Sequence, residues 1–417
     1  MYIKRAIEDT VIRISKTFPV LLVTGPRQVG KTTLLKQLSD ETRSYVTLDD
    51  PDVRSLAKTD PALFMQRYTP PILIDEIQYA PQILPYIKMS VDSSGNKGDF
   101  WLTGSQAFHM MKNVSESLAG RIGIVNLLGL SSSEIEANSS EPFTTCSERL
   151  MTRLNHTRKI GLNDIFERIF RGSFPALYHE EKPDLAEFYR SYINTYLQRD
   201  IKDLSQVADE TTFLNFMIVV AARTAKPIIY DEIAREVGIT QPTAKKWLSI
   251  LISSGLVALV QPYYNNVLKR VVKMPLLHFL DLGLCAYLLK WGNPETLERS
   301  AMSGAFFESW VFSEIHKSYL NAGRETPVYY FRDKEKREVD LILFENNVLY
   351  PIEIKKASST GIDAIRHFKL LHPIAENEEI DKETQYKNEI GNGAVICMAN
   401  DLLPIDRKNW LVPAWLI

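Results

Sequence analysis

Over the N-terminal third of the chain, short apolar runs of strand length alternate with helix-prone stretches. Phe18–Val23, Ser44–Leu48, Ile72–Ile74 and Phe100–Thr103 each read as a strand, and residues 52 to 68 read as a helix. That alternation predicts an α/β unit. Residues 131 to 160 are rich in Ser, Thr, Asn and Glu, carry Pro142 and lack an apolar period, so they read as a loop or linker. From Leu162 onward, Ile165 and Ile169, then Phe188, Tyr192 and Tyr196, recur at helical spacing and predict a helical lid on the first unit. The aromatic stripe reads as core rather than as a base-stacking platform, and Arg199 beyond it is a candidate for nucleotide contact.

The pattern changes again near residue 230. Tyr230–Val237 is amphipathic, Gly238-Ile239-Thr240 turns the chain, and Gln241–Leu248 starts a second helix that Thr240 can cap, with Pro242 in its first turn. Leu256–Val260 and Lys269–Val272, joined through Pro262–Asn266, read as a hairpin, which makes the unit a winged helix. Thr243, Lys245 and Lys246 then lie at the groove-facing end of the recognition helix, with Lys269 and Arg270 on the wing. A packing or protein-binding role is the competing reading, since Glu232 and Glu236 dilute the basic footprint.

Gly304–Phe312 begins a strongly apolar helix in which Glu308 shares a face with Val311, Phe312 and Ile315. A carboxylate among large apolar neighbours needs a partner or a metal. Downstream, Glu338–Phe344 and Val348–Lys355 flank Asn346-Asn347, and a two-residue turn there sets Asp340 opposite Glu353. Lys355 falls on the same face, and Val339, Leu341, Ile352 and Ile354 bury the other. Two carboxylates about 5 Å apart repel unless a cation lies between them, and a lysine beside them can hold an attacking water or steady phosphoryl charge.

Composition narrows the setting. At 417 residues the chain exceeds one ordinary core, and about three domains are expected. Lys plus Arg number 49 against 51 for Asp plus Glu, so any nucleic-acid contact must come from local patches such as Lys334, Lys336, Arg337, Lys356 and Arg366. Cys146, Cys285 and Cys397 lack metal-site or redox spacing, which fits a reduced, cytoplasmic setting. Met1–Arg5 shows no signal sequence. The longest apolar candidate for a membrane span, Leu276–Leu289, is broken by His278 and Asp281, so no membrane association is expected.

The sharpest chemistry lies in Gly25-Pro26-Arg27-Gln28-Val29-Gly30-Lys31-Thr32-Thr33, directly after the first strand. The Gly-x4-Gly-Lys-Thr spacing wraps backbone N–H groups and a helix N-terminus around an anion, with Lys31 reaching the β and γ phosphates of ATP and Thr32 holding Mg²⁺. The strand Ile72–Ile74 ends in Asp75 and Glu76: one carboxylate for the Mg²⁺ shell, one to polarise the attacking water. Ser105 and Gln106, after the strand at 100–103, place small polar groups where a γ phosphate or that water would lie. Arg121 is a candidate for stabilising phosphoryl charge, in cis or in a neighbouring subunit, with an ordinary surface salt bridge as the alternative.

These stretches, together with Leu73–Gln78, Leu102–Gln106, Leu118–Arg121, Arg171–Pro175 and Tyr196–Ile201, resemble bacterial and archaeal AAA-type P-loop ATPases whose C-terminal half is a domain of unknown function. The resemblance covers nearly the whole chain and implies ATP binding and hydrolysis, with no established cellular task. AAA-type ATPases often form rings, so a homo-oligomer is part of what it implies. Separately, Glu308, Asp340, Glu353 and Lys355 resemble the PD-(D/E)xK nucleases of restriction-endonuclease-like fold, a superfamily that includes inactive relatives kept as binding modules. If active, the implied reaction is Mg²⁺-dependent phosphodiester hydrolysis.

The expectation is therefore an α/β chain in four parts: an AAA-type P-loop domain over 1–140, a linker and helical lid over 141–210, a winged helix over 211–280 and a restriction-endonuclease-like domain over 281–417. The expected function is a Mg²⁺-dependent ATPase acting as a switch or motor with nucleic acid, DNA being the candidate partner of the winged helix and C-terminal domain. An ATP-dependent nuclease and an ATP-driven protein-interaction switch are the two alternatives.

Overall fold

The computed structural model describes residues 2–104, 117–138, 140–196, 210–264, 274–371 and 388–417. Two sheets organise it. The first holds β1 (Val20–Thr24), β2 (Ser44–Thr47), β3 (Ile72–Asp75), β4 (Phe100–Gly104) and β5 (Ile122–Asn126) in the order β2-β3-β4-β1-β5, all parallel. Parallel strands need helical crossovers, which cover both faces and explain why β1, β3 and β4 are buried throughout. Side-chain alternation splits the interior. Val20, Leu22, Ile72, Ile74, Phe100 and Leu102 pack under the helices Pro51–Thr59, Pro61–Arg67 and Leu84–Ser94, while Leu21, Val23, Leu73 and Trp101 face the core shared with the rest of the chain.

The second sheet spans the chain's remainder. Its strands are β6 (Lys226–Pro227), β7 (Val257–Pro262), β8 (Leu276–Phe279), β9 (Val328–Arg332), β10 (Glu338–Glu345), β11 (Val348–Lys355), β12 (Glu389–Ile390), β13 (Gly393–Cys397), β14 (Leu403–Pro404) and β15 (Asn409–Pro413). They run in the order β14-β15-β13-β11-β10-β9-β7-β8-β6, with β12 beside β11. Helix Tyr230–Val237, a left-handed Gly238 and helix Gln241–Ser253 make a helix-turn-helix, with Thr240 capping the second helix at the Thr243 N–H. The antiparallel β6-β8-β7 ribbon brackets it, with β6 before the first helix and β7 and β8 after the second. The partner of β7 begins at Leu276. The expected second wing strand at Lys269–Val272, and with it Lys269 and Arg270, lies outside the described residues. Parallel pairing of Gln261 and Pro262 with Tyr329 and Tyr330 then fuses this ribbon to the C-terminal strands, so the two units share one sheet.

The stretch expected to be a bare linker is built. It contains the capped turn Ser132–Ile135 and the helix Ser147–Leu154, with Phe143 fully buried. Some of its polar side chains bond backbone groups, such as Arg153 donating to the Glu141 and Leu416 carbonyls and the Thr144 hydroxyl accepting from the Cys146 N–H. Tyr192 is buried against Phe174 at 4.7 Å between ring centres, as expected of core; the Tyr196 side chain and Arg199 lie outside the described residues. Among the described residues no helix is long and apolar enough to cross a membrane.

Candidate functional site

The loop from Gly25 to Gly30 joins β1 to helix Lys31–Leu38 at the carboxyl edge of the parallel sheet, where open α/β sheets bind ligands. Gly25 has φ 140°, and a Cβ there would sit 1.9 Å from the Leu127 carbonyl oxygen, so the close packing of the loop on the end of β5 admits only glycine. Gly30 has φ 90° and turns the chain into the helix. Helix N-termini have N–H groups without intrahelical acceptors, and these lie beside the loop. Lys31 is buried, its ammonium donating to the carbonyls of Gly25 (3.0 Å) and Pro26 (2.8 Å). Thr33, on the same first turn, is exposed.

Because β4 lies between β1 and β3, the ends of all three strands converge on one point. Asp75 closes β3 there, and its carboxylate accepts hydrogen bonds from the hydroxyls of Thr32 (2.7 Å), Tyr45 (3.2 Å) and Thr103. Burial, then the Asp75 charge, push the Tyr45 phenol up to about 12, so it remains a donor. The Thr32–Asp75 contact brings together the two residues expected to hold Mg²⁺, and a hard cation with oxygen ligands suits that donor pair. Glu76 adopts a left-handed φ of 58°, its N–H donating to Thr103 Oγ1 (3.0 Å) while its carboxylate accepts from the Gln78 amide. The expected water-polarising group thus stands next to the expected metal-holding one. Ser105 lies outside the described residues.

Arg121 does not join this group. It precedes β5, and Ile122 pairs with Val20, so it lies at the amino edge of the sheet, roughly 20 Å along the strands from the loop. Its guanidinium forms a two-pronged pair with Asp92 and also meets the Ala119 carbonyl. The structure therefore corrects the expectation of a cis role: strand direction puts the residue at the wrong end of its own sheet, and the salt-bridge alternative describes its contacts.

Sequence reasoning passes over Arg5 and Glu134. Arg5, 4% exposed, donates to Glu134, to the Val29 carbonyl in the phosphate loop and to the Leu128 carbonyl. A lone arginine near the start of a chain carries no visible signal; the Ser-x-x-Glu spacing from Ser131 to Glu134 is a capping-box pattern that would mark the other partner. The strap from Leu128 to Glu134 is also held from the C-terminal side. In helix Ser303–Asn321, Glu314 accepts from the Ser132 N–H (2.7 Å) and pairs with Lys317 (2.9 Å), which donates to the Leu130 carbonyl (3.0 Å), all buried. Arg171–Pro175 serves the same junction, where the Ser173 N–H and hydroxyl both donate to Asp281 (2.7 Å each) and its carbonyl accepts from the Leu130 N–H.

A second constellation lies on that long helix and on β10–β11. Asn346 and Asn347 have φ 50° and 62°, and Leu341 pairs with Ile352, which is the register expected of a two-residue turn. Asp340, one step beyond, accepts from the Ile354 N–H (2.7 Å). Burial and then the Glu353 charge push its carboxyl up to about 7. Burial raises Glu353 too, against the opposing pull of Lys355, whose ammonium lies 2.5 Å from Oε1; Oε2 is buried with no hydrogen-bond partner among the described residues. Glu308 is raised well above the carboxylate range by burial and by the charges of Asp340, Glu338 and Glu353. Lys355 is raised because those carboxylates outweigh its burial. Glu308, Asp340, Glu353 and Lys355 are therefore one electrostatic cluster. Among the described residues no group of three or more His, Cys, Asp or Glu has metal-binding geometry, so a metal there would take Asp340 and Glu353 and complete its shell with other oxygens. Lys356 turns away to Glu298 and Ser303.

The first site lies within a stretch that matches a known family model. Residues 17–136 match the family model described as an AAA domain, while 162–295 and 303–417 match models described as domains of unknown function (DUF8612 and DUF4143). The parallel sheet and phosphate loop fall within the stretch that matches the AAA-domain model. The chain is 29% identical over 345 residues to the uncharacterized proteins Rv2008c of Mycobacterium tuberculosis and Mb2031c of Mycobacterium bovis, covering 82% of this chain and 72% of each of theirs. Among solved structures, the Walker-type ATPase PABY2304 of Pyrococcus abyssi shares 13% identity at a TM-score of 0.41, covering 68% of this chain and 94% of that one.

Proposed function

We propose that the chain is a Mg²⁺-dependent ATP hydrolase that works as a switch or motor with nucleic acid. The observation that carries it is Thr32 hydrogen-bonded to Asp75 beside the phosphate loop, with Glu76 adjacent. When bound there, Mg²⁺ would neutralise charge on the phosphates. The loop amides and Lys31 would bind and orient the phosphates, Thr32 and Asp75 would hold the cation, and the Glu76 carboxylate would take a proton from the water that attacks the γ phosphorus as ADP leaves. Thr103 steadies both Asp75 and the Glu76 backbone. ATP turnover in Mg²⁺, abolished in Lys31→Ala, is the direct test; turnover that survives that substitution contradicts the site.

For nucleic acid the support is the helix-turn-helix, whose second helix leaves Pro242, Lys245 and Lys246 exposed on one face. DNA that neither binds at low salt nor alters the turnover rate would favour the protein-interaction switch. The nuclease reading has its own support in Glu353 Oε2, without a hydrogen-bond partner among the described residues, beside Asp340 and Lys355, the arrangement expected of a PD-(D/E)xK site. Metal-dependent cleavage lost in both Asp340→Ala and Glu353→Ala would establish it, and no cleavage of any nucleic acid by the wild type would leave a binding module.

A further inference from the structure

Arg5 makes more of the phosphate loop than the loop's own residues explain. Its side chain is buried, and its donors run to four acceptors: Glu134 Oε1 (2.9 Å), the Val29 carbonyl (2.9 Å), the Leu128 carbonyl (2.8 Å) and the Gly129 carbonyl (3.4 Å). Glu134 is equally committed. It accepts from Arg5 and from the Ala6 N–H (2.8 Å) on one oxygen, and from the Ser131 N–H (2.7 Å) and hydroxyl (3.2 Å) on the other. The rigid guanidinium fork therefore has a fixed orientation, set by a carboxylate that cannot swing.

The consequence follows from the geometry of the peptide bond. In a planar trans peptide the N–H points opposite to the C=O. Arg5 holds the Val29 carbonyl toward the protein interior, so the Gly30 N–H faces outward, where the loop meets solvent. Gly30 has φ 90° and no side chain to fix its orientation, so the plane of the Val29–Gly30 peptide depends on what grips its carbonyl.

We propose that Arg5, oriented by Glu134, is a positioning residue that sets the Val29–Gly30 peptide so that its N–H is presented to the phosphates of the bound nucleotide. This rests on reading the loop as an ATP site. An N–H presented to bound phosphate in ground state and transition state alike contributes uniform binding, so its loss raises KM and leaves kcat nearly unchanged.

The test uses the full chain with Arg5→Met, Arg5→Lys and Glu134→Gln, measuring ADP affinity, KM and kcat for ATP, and hydrogen exchange at the Gly30 amide. Arg5→Met is expected to weaken ADP binding and raise KM about tenfold with kcat within about threefold, the pattern of a lost ground-state contact. Arg5→Lys keeps the charge opposite Glu134 but not the fork, so it should fold with a lowered melting temperature, speed Gly30 exchange and show an intermediate KM. Glu134→Gln should move KM in the same direction, and combining it with Arg5→Met should add little, as expected of coupled residues. Should Arg5→Met fail to fold, Arg5→Lys decides. Unchanged Gly30 exchange and KM in Arg5→Lys overturn the proposal, as does Arg5→Met with wild-type affinity. A wild-type chain that binds no ADP would instead overturn the ATP-site reading itself, and the proposal with it.

Discussion

At the scale of single residues, function and strain meet at Gly25. Its left-handed φ, and the 1.9 Å that would separate an added methyl from the Leu127 carbonyl oxygen, make Gly25→Ala incompatible with the loop as folded. Titration with ADP should show binding lost while the C-terminal sheet stays folded. Elsewhere the buried histidines set an acid limit. Burial lowers His278 to about 3 and His316 to about 4, so the folded chain keeps both neutral where the unfolded chain protonates them. The histidines thus withdraw stability as pH drops from about 6.5 toward 4, while the raised Asp340, Glu353 and Glu308 carboxyls, protonated in the folded chain first, act in the opposite sense. The histidine part is read as a difference: melting-temperature profiles of wild type and His278→Gln should diverge below about pH 6.5, with His278→Gln losing less stability toward acid. These effects are not legible in sequence: His278 stands out only as a break in an apolar run, and its burial depends on Ser309 and Phe312 from a distant helix.

At the scale of elements, local chemistry is readable and long-range pairing is not. The Asn346-Asn347 turn fixes its own register, and Thr240 marks the start of its helix, because both are decided by neighbours in the chain. Phosphate loop, Asp75 and Glu76 likewise follow from residue types at strand ends. By contrast, nothing near Gln261 or Tyr329 announces that β7 and β9 pair, and Arg121 suits a phosphate by residue type alone until strand direction places it at the far edge. The strap from Leu128 to Glu134 runs into a stretch that reads as linker because its partners, Arg5, Glu314 and Lys317, come from elsewhere. Its buried pair gives a clear expectation. Lys317→Met leaves the Glu314 charge buried without its cation and should destabilise the chain by about 3–5 kcal/mol, read by denaturant unfolding. A loss below about 1 kcal/mol would mean the pair is solvated in solution.

At the scale of the whole molecule, the units are joined through the phosphate loop's surroundings. A Cβ on Gly255, at the end of the helix-turn-helix, would lie 2.9 Å from the Pro26 ring, so the unit expected to meet DNA packs on the loop expected to bind ATP. The same strap that Arg5 ties to Val29 is tied by Glu314 and Lys317 to the helix carrying Glu308. Phosphate loop, helix-turn-helix and carboxylate cluster thus share contiguous contacts. If the second helix of the helix-turn-helix binds DNA phosphates, Lys245→Ala with Lys246→Ala should weaken binding across sequences and reduce the slope of log K against log salt by about 2. An unchanged slope would place DNA elsewhere or exclude it. All of this depends on the site at the carboxyl edge of the parallel sheet. The decisive measurement is steady-state ATP turnover with Mg²⁺ for the wild type, Lys31→Ala, Asp75→Asn and Glu76→Gln. Turnover is expected in the wild type, with no ATP binding gain from Mg²⁺ in Asp75→Asn and ATP bound but not hydrolysed in Glu76→Gln; turnover at the wild-type rate in any of the three variants would contradict the site.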